Sequence, residues 1–182
     1  MSATPVADAK QTAIRSMHLM GSLDLAGLET VCTADVVNRE SKNEPPDTRG
    51  AGPAAMYATA RWLRGAFSDL AWEIHDAVQE GDLVVVHTTM SGRQTGPFVA
   101  YAHDGSIDAV FPPRGRRFAV TQTHWFRMRD GLVAEHWANR DDLGMGRQLG
   151  WTPPSPPYIA RMLLARRRMQ RATATPPQAR QG

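Results

Sequence analysis

The sequence predicts an α+β domain in which a curved antiparallel sheet is wrapped around N-terminal helices. The first observation is that apolar residues recur at helical spacing in three segments before residue 68. The second is that the period changes to two in the segments between residues 71 and 137. We expect residues 1–151 to form this domain and residues 152–182 to form a Pro/Arg-rich tail with a basic helix at 158–171.

Three helices are predicted in the N-terminal part of the chain, spanning residues 9–21, 24–32 and 54–67. The first has an apolar stripe, and Ser22 or Asp24 is suited to cap the second. Pro53 fits the first turn of the third helix, because a backbone N–H has no helical partner at that position. An extended segment is expected to begin at Val36, and the Pro- and Gly-rich residues 41–52 are predicted to form a loop.

Antiparallel strands are predicted next, at residues 71–78, 83–91, 121–128 and 132–137. Each is rich in β-branched or aromatic residues, and turn residues such as the Glu80-Gly81-Asp82 triplet separate them. Residues 97–113 show no regular pattern and are long for a connection in a compact domain. Loops of this length often act as lids or binding loops, so we expect this one to border a site.

The last two strands form a hairpin whose register has two possible solutions. If Arg129-Asp130-Gly131 is a three-residue loop with a bulge, His124 lies opposite His136. If Asp130-Gly131 alone forms a two-residue turn, His124 lies opposite Trp137 instead. The register therefore decides which side chains of the second strand share a face with His124.

The charge distribution argues against a nucleic-acid-binding protein. The chain carries a net charge of +3, but six arginines and no acidic residue lie beyond residue 151, so residues 1–151 carry −3. A slightly acidic body lacks the basic surface by which proteins hold nucleic acid. The basic helix at 158–171 is amphipathic and could meet an anionic membrane. We favour the alternative, in which it is a solvated or subunit-packing segment.

No feature of the sequence predicts a disulfide, a leader segment or a resident cofactor. Cys32 is the one cysteine, and residues 1–10 have no signal-peptide character, so we expect a cytoplasmic protein. Four of the six histidines are scattered without metal-ligand spacing, and no metal site is predicted. The sequence also has no Gly-rich phosphate loop and no Gly-x-Ser-x-Gly elbow, so no cofactor is expected.

A series of short motifs gives the chain a family resemblance. They are RG at 49–50, GP at 52–53, FSDL at 67–70, EGD at 80–82, GRQTG at 92–96, PPRGR at 112–116, EHW at 135–137, DDLG at 141–144 and QLG at 148–150. In this order they resemble the SnoaL-like polyketide cyclases, often called ester cyclases, of the nuclear transport factor 2-like superfamily. The resemblance covers about residues 10–151.

The resemblance implies a cone-shaped α+β barrel with a pocket inside the cone, and a homodimer that pairs through the open face of the sheet. The same fold hosts cyclases, hydrolases, isomerases and non-catalytic binders, so it constrains the architecture more than the chemistry. In family members that close a ring by an intramolecular aldol reaction, an aspartate directly after the His-Trp pair is the acid/base. This chain has Ala138 at that position, and Gln94 where the family often has a histidine in its Gly-x-His-Thr-Gly turn.

The resemblance therefore assigns the acid/base role to His124, which matches the family's partner histidine, with His136 or Asp141 as its helper. Histidine suits this role because burial or a nearby carboxylate moves its pKa across neutrality. We favour the three-residue hairpin loop, since that register also places His124 on the face of residue 138. Asp141 has an alternative role as the cap of the helical turn that follows it.

Six further residues are predicted to bind the substrate: Asn38, Tyr57, Trp62, Gln94, Trp137 and Arg140. Asn38 begins the segment that reaches the pocket in this family and could donate to a substrate carbonyl. The aromatic residues at an apolar cavity suit a flat polycyclic ligand. The alternatives are that Asn38 is a turn residue and that the aromatic residues only pack the core.

These observations lead to three hypotheses of function. The first is a cofactor-independent cyclase or isomerase of natural-product metabolism, acting on an aromatic or polyketide-like intermediate by acid/base catalysis. The second is an enzyme that opens an epoxide with Arg140, Asp141 and one further carboxylate. The third is a non-catalytic small-molecule binder or dimerisation module, which the alanine at position 138 allows.

Overall fold

The computed structural model describes residues 8–174. Within them the helices are α1 (Ala9–Ser22), α2 (Leu25–Val31), α3 (Pro53–Ala66), α4 (Asp142–Leu149) and α5 (Pro156–Ala174). The strands are β1 (Cys32–Asn38), β2 (Phe67–Glu80), β3 (Leu83–Gln94), β4 (Phe98–Tyr101), β5 (Ile107–Phe111), β6 (Arg117–Arg129) and β7 (Leu132–Arg140). The predicted order of helices followed by a run of strands is therefore confirmed.

One five-stranded sheet forms the body of the domain, in the order β1-β7-β6-β3-β2. Its neighbours are antiparallel except at one edge, where β1 runs parallel to β7 and Asn38 pairs with His136. The sheet is thus mixed rather than purely antiparallel. The strand β1 also begins at Cys32, four residues before the predicted start at Val36, because the strand follows the end of α2 directly.

The three N-terminal helices cover one face of this sheet. Buried apolar side chains of α1, α2 and α3 share a cluster with residues of β3, β6 and β7 that point to the same face. Asp24 caps α2 by accepting a hydrogen bond from the Gly27 N–H at 2.8 Å. The α+β class and the curved sheet on N-terminal helices are therefore confirmed.

Residues 97–113 were predicted to be irregular, and this prediction is wrong. They contain the separate hairpin β4–β5. Phe98 pairs with Phe111, and the loop at Gly105 closes the hairpin with a positive φ of 84°. The strands have only four and five residues. Such short runs give too few alternating positions to be recognised from the sequence.

The C-terminal helix α5 packs on this hairpin. Ala165 and Met169 of the helix lie against the buried side chains of Val99 and Val110. Tyr158 is buried, and its hydroxyl donates to the Pro112 carbonyl at 3.1 Å. The helix predicted at 158–171 is thus longer at both ends, while residues 175–182 of the predicted tail lie outside the described part. Across residues 8–174, no helix has the length and apolar character to cross a membrane.

Candidate active site

A cavity of about 340 Å³ lies between the helices and the inner face of the sheet. Its apolar wall includes the aromatic side chains of Trp62, Phe98, Phe111 and Trp151. Phe98 and Phe111 come from the β4–β5 hairpin, so the segment expected to border a site does form part of the cavity wall. An apolar cavity of this size with a few polar groups is typical of a small-molecule site.

The β6–β7 hairpin brings its histidines into this cavity by a register that neither alternative described completely. Arg129 pairs with Leu132 across a two-residue turn, so the favoured three-residue loop is wrong. One extra residue then enters β7 between Val133 and Glu135, as a bulge, and shifts the pairing by one. As a result His124 pairs with Ala138 rather than with Trp137.

This bulge determines which β7 side chains face the cavity. Without it, the two-residue turn would pair His124 with Trp137 and turn His136 to the outer face. With it, His136 pairs with the inward-facing Phe126, and both residues line the cavity with His124. His124 and residue 138 share a face, as expected. The bulge in β7, and not a three-residue loop, brings them together.

The two histidines belong to a chain of four hydrogen-bonded side chains. His124 Nδ1 lies 2.9 Å from His136 Nε2, and His136 Nδ1 lies 3.1 Å from Asn38 Oδ1. At the other end His124 Nε2 lies 2.8 Å from Gln122 Oε1. We call this set, from Asn38 through the two imidazoles to Gln122, the histidine relay.

The Asn38 end fixes the positions of the protons in a neutral relay. Asn38 Oδ1 also accepts from the Glu40 backbone N–H at 3.2 Å, so this atom is the amide oxygen. His136 Nδ1 must therefore carry its proton and donate to it. His136 Nε2 is then unprotonated and accepts from His124 Nδ1–H, which leaves Nε2 of His124 as the unprotonated, basic nitrogen of that ring.

Burial favours the uncharged form of both histidines. It lowers the pKa of His124 well below its usual value, and the nearby His136 and Arg140 lower it further. Burial and Arg140 lower the pKa of His136 to about 4. Because a charged imidazole is costly in such surroundings, both rings are neutral at pH 7 and can act as proton acceptors.

Carboxylates surround Arg140 at the polar end of the cavity. Its guanidinium lies 3.8 Å from Glu40 and 3.5 Å from Asp142. Glu44 also lines the cavity and is only 3% exposed, with its Oε2 accepting from the Thr59 hydroxyl at 2.6 Å. Burial raises the pKa of Glu44, although Thr59 and Arg140 act in the opposite direction. The cavity thus contains a carboxyl group even though residue 138 is alanine.

Asp141 has the role that the sequence analysis gave as its alternative. Its carboxylate accepts from the Gly144 N–H at 2.7 Å and caps α4. It is exposed and is not among the residues that line the cavity. The structure therefore places Asp142, rather than Asp141, at the cavity beside Arg140.

Three of the residues predicted to bind substrate lie away from the cavity wall. Trp137 is on the other face of the sheet, where its ring is parallel to that of Trp125 with centroids 6.1 Å apart. Gln94 is fully buried, and its amide bonds to the Phe111 carbonyl and the Trp151 indole. Tyr57 packs against the core cluster under the helices. Hydrophobic periodicity alone could not separate core positions from cavity positions.

The other predicted binding residues do line the cavity, namely Asn38, Trp62 and Arg140. Sequence reasoning missed Gln122, although its position two residues before His124 on one strand face was a usable signal. It also missed Glu44, because this residue lies in a polar loop whose sequence has no period that shows which side chains point inward. Trp72 was missed as well, and its indole N–H is buried without a hydrogen-bond partner among the described residues.

The chain is similar in sequence to known proteins. The family profile described as SnoaL-like polyketide cyclase matches residues 12–149. The chain is 32% identical to the aklanonic acid methyl ester cyclase DauD of Streptomyces sp. strain C5, over 78% of this chain and 82% of that protein. It is also 32% identical to the nogalonic acid methyl ester cyclase of Streptomyces nogalater, over 54% of this chain and 67% of that protein.

Solved structures give the same result. TsrD from Streptomyces laurentii superposes with a TM-score of 0.63 at 30% identity, covering 82% of this chain and 98% of that one. A protein from Jannaschia sp. CCS1 whose structure is described as SnoaL-like polyketide cyclase has a TM-score of 0.62 at 21% identity, covering 85% of this chain and 99% of that one, which supports the fold. The resemblance drawn from the sequence motifs is confirmed, and the chain belongs to the SnoaL-like polyketide cyclase family.

Proposed function

We propose that this protein closes a ring on an aromatic, polyketide-derived substrate by intramolecular carbon–carbon bond formation, with His124 and His136 as its acid/base pair. The observation that carries the proposal is the histidine relay, in which the neutral pair leaves Nε2 of His124 unprotonated in a largely apolar cavity. A base held neutral at pH 7 is what proton removal from carbon requires. The relatives named as cyclases support the same class of reaction.

The proposed reaction is an aldol closure that is balanced without any redox step. Nε2 of His124 takes a proton from a carbon activated by adjacent carbonyl groups, which leaves an enolate. The enolate carbon attacks a ketone carbon in the same molecule, forming the new carbon–carbon bond and an alkoxide. The alkoxide then receives the proton back from the histidine pair, so substrate and product have the same composition.

The cavity wall supports a flat, carbonyl-bearing substrate. Trp62 and Phe98 contact each other with ring centroids 4.8 Å apart and offer an aromatic surface. The Trp72 N–H, which has no partner within residues 8–174, and the buried Glu44 carboxyl are two polar groups that could hold substrate oxygens. The named relatives act on methyl esters of aklanonic and nogalonic acid, and we propose a substrate of this chemical class here.

The direct test is incubation with aklanonic acid methyl ester, followed by chromatography and mass spectrometry. We expect a product of unchanged mass and different retention time, because the aldol closure is an isomerisation. His124→Gln should slow ring closure by about 10²–10⁴-fold, the usual contribution of an acid/base residue. The matched control is His75→Gln on the exposed face of β2, which should leave the rate unchanged. Equal rates for wild type and His124→Gln would contradict the proposal.

One observation favours epoxide opening as a second candidate. Arg140 lies between Glu40 and Asp142 at the cavity, so an acid–arginine–acid group exists, although not with the residue Asp141 that was predicted. In this reaction one carboxylate would direct a hydroxyl group onto an epoxide carbon, and a carboxylic acid would protonate the opened oxygen. A panel of epoxide substrates, with Arg140→Gln as the variant, separates the two candidates. Epoxide turnover that survives His124→Gln but not Arg140→Gln would favour the second.

We also propose that the outer face of the sheet forms a homodimer. Trp125 and Trp137 are parallel on this face, and the Arg39 guanidinium lies 4.7 Å from the centre of the Trp137 ring. Large aromatic residues with arginine are typical of the centre of a protein interface. The mass of the protein in solution, by light scattering, tests this proposal.

A further inference from the structure

The Gln122 end of the histidine relay contains a contact that a neutral relay cannot form. His124 Nε2 and Gln122 Oε1 are 2.8 Å apart, which is a hydrogen-bonding distance. In the neutral relay this nitrogen has no proton, and an amide oxygen can only accept. Two acceptors would then face each other with no hydrogen between them.

Counting protons gives the two states that remove this conflict. The relay has three contacts and an oxygen at each end, so it needs three imidazole N–H groups, while two neutral imidazoles have two. With Gln122 oriented as in the structure, the pair must carry one additional proton. With the Gln122 amide turned over, its NH₂ group donates to Nε2 of His124 and the pair is neutral.

We propose that the Gln122 side-chain amide turns over as the histidine pair gains or loses its proton, which makes Gln122 a positioning residue for the acid/base reaction. Its NH₂ group holds the neutral pair, and its oxygen holds the protonated pair. The turn removes the N–H donor from the lone pair of His124 and supplies an acceptor for the newly formed N–H. This inference deepens the proposed function, but the proton count itself depends only on the relay geometry.

The surroundings of Gln122 allow both orientations. The side chain is only 4% exposed, and its NH₂ group donates to the thioether sulfur of Met90 at 3.0 Å. A thioether is a weak acceptor, so turning the amide gives up little. Asn38 differs, because the Glu40 N–H holds its oxygen in place. The relay therefore has one fixed end and one end that can turn.

The charged groups around the cavity do not bond directly to this end of the relay. Those that line the cavity come from the loop after β1, from β7 and from α4: Glu40, Glu44, Arg140 and Asp142. The cavity residues of α1 and α3 are uncharged. Burial lowers the pKa of both histidines, so the neutral pair and the NH₂-inward amide are the resting state at pH 7. An amide oxygen that faces His124 Nε2 fits only the protonated pair.

The test is ¹⁵N NMR of the histidine and glutamine side chains in the full-length protein, without substrate. In wild type we expect the Gln122 NH₂ resonances to shift together with the imidazole nitrogens as the pair is protonated. Gln122→Glu offers only acceptors, so it should raise the midpoint of the histidine titration by at least one pH unit. Gln122→Met keeps the size of the side chain, removes both hydrogen bonds and should produce no such rise.

The control is Gln148→Glu. In wild type the Gln148 amide bonds to the Ala119 backbone on the outside of the domain. It should leave the histidine titration unchanged. Gln122 NH₂ resonances that stay constant while the histidines titrate would overturn the inference. So would a Gln122→Glu titration identical to that of wild type, or an equal shift in Gln148→Glu. Because no turnover is measured, failure here is distinguishable from failure of the proposed ring closure.

Discussion

Acidification should destabilise this protein through the two cavity histidines. Both have folded-state pKa values below the value of about 6.5 that histidine has in an unfolded chain. Between these values the unfolded chain binds more protons than the folded one. Stability contributed by such a group is fully present above about pH 6.5 and is lost as the pH falls towards the folded-state pKa.

The magnitude can be worked out for His136. Its pKa of about 4 in the folded state and about 6.5 in the unfolded state give a loss of about 3 kcal/mol between pH 7 and pH 4. His124 adds to the loss in the same direction, because its pKa is also lowered. Single domains are stable by only about 5–15 kcal/mol, so this is a large fraction of the total.

Urea unfolding at a series of pH values from 7 to 4 measures this loss. Other groups also titrate in this range, so the informative quantity is the difference between wild type and the double variant His124→Gln/His136→Gln. We expect the free energy of unfolding of wild type to fall by at least about 3 kcal/mol more than that of the double variant. His75→Gln, on the exposed face, should behave as wild type. Parallel pH dependence in wild type and the double variant would refute the reasoning.

Three further predictions follow from the cavity and the sheet. Since burial raises the pKa of Glu44, its contribution to stability falls as the pH rises above about 4.3, so Glu44→Gln should gain stability relative to wild type between pH 4 and pH 7 in thermal unfolding. Ala138→Asp places a carboxylate in register with His124, and NMR titration should show the pKa of His124 raised by about 1–3 units; no rise would contradict the pairing. Trp137→Glu should convert the proposed dimer to a monomer in light scattering, while His18→Glu on α1 should not.

Local sequence patterns were sufficient to predict most of the architecture. The change from a 3.6-residue period to a two-residue period predicted the passage from α3 to β2, although β2 begins at Phe67 rather than at the predicted residue 71. Turn residues such as Gly131, with its positive φ of 77°, mark where strands reverse. These features can be read from the sequence because they depend on the conformational preferences of residues that are neighbours in the chain.

The site was harder to predict because it depends on long-range geometry. The bulge after Val133 adds one residue to β7, and the strand pattern around it contains nothing that requires a bulge. Yet the bulge decides that His136 faces inward and Trp137 outward. Glu44 reaches the cavity from a loop without periodicity. In contrast, His124 was expected to face the cavity and does line it, because the resemblance matched it to the family's partner histidine.

The pH dependence of kcat/KM for ring closure of aklanonic acid methyl ester is the measurement that tests the central claim most directly. If the neutral histidine relay is the base, activity should persist well below pH 6.5. It should decline only as the pair of His124 and His136 becomes protonated. Gln122→Glu should move this decline to higher pH. An acidic limb at the ordinary histidine value of about 6.5, or a profile that is unchanged in His124→Gln, would contradict the account.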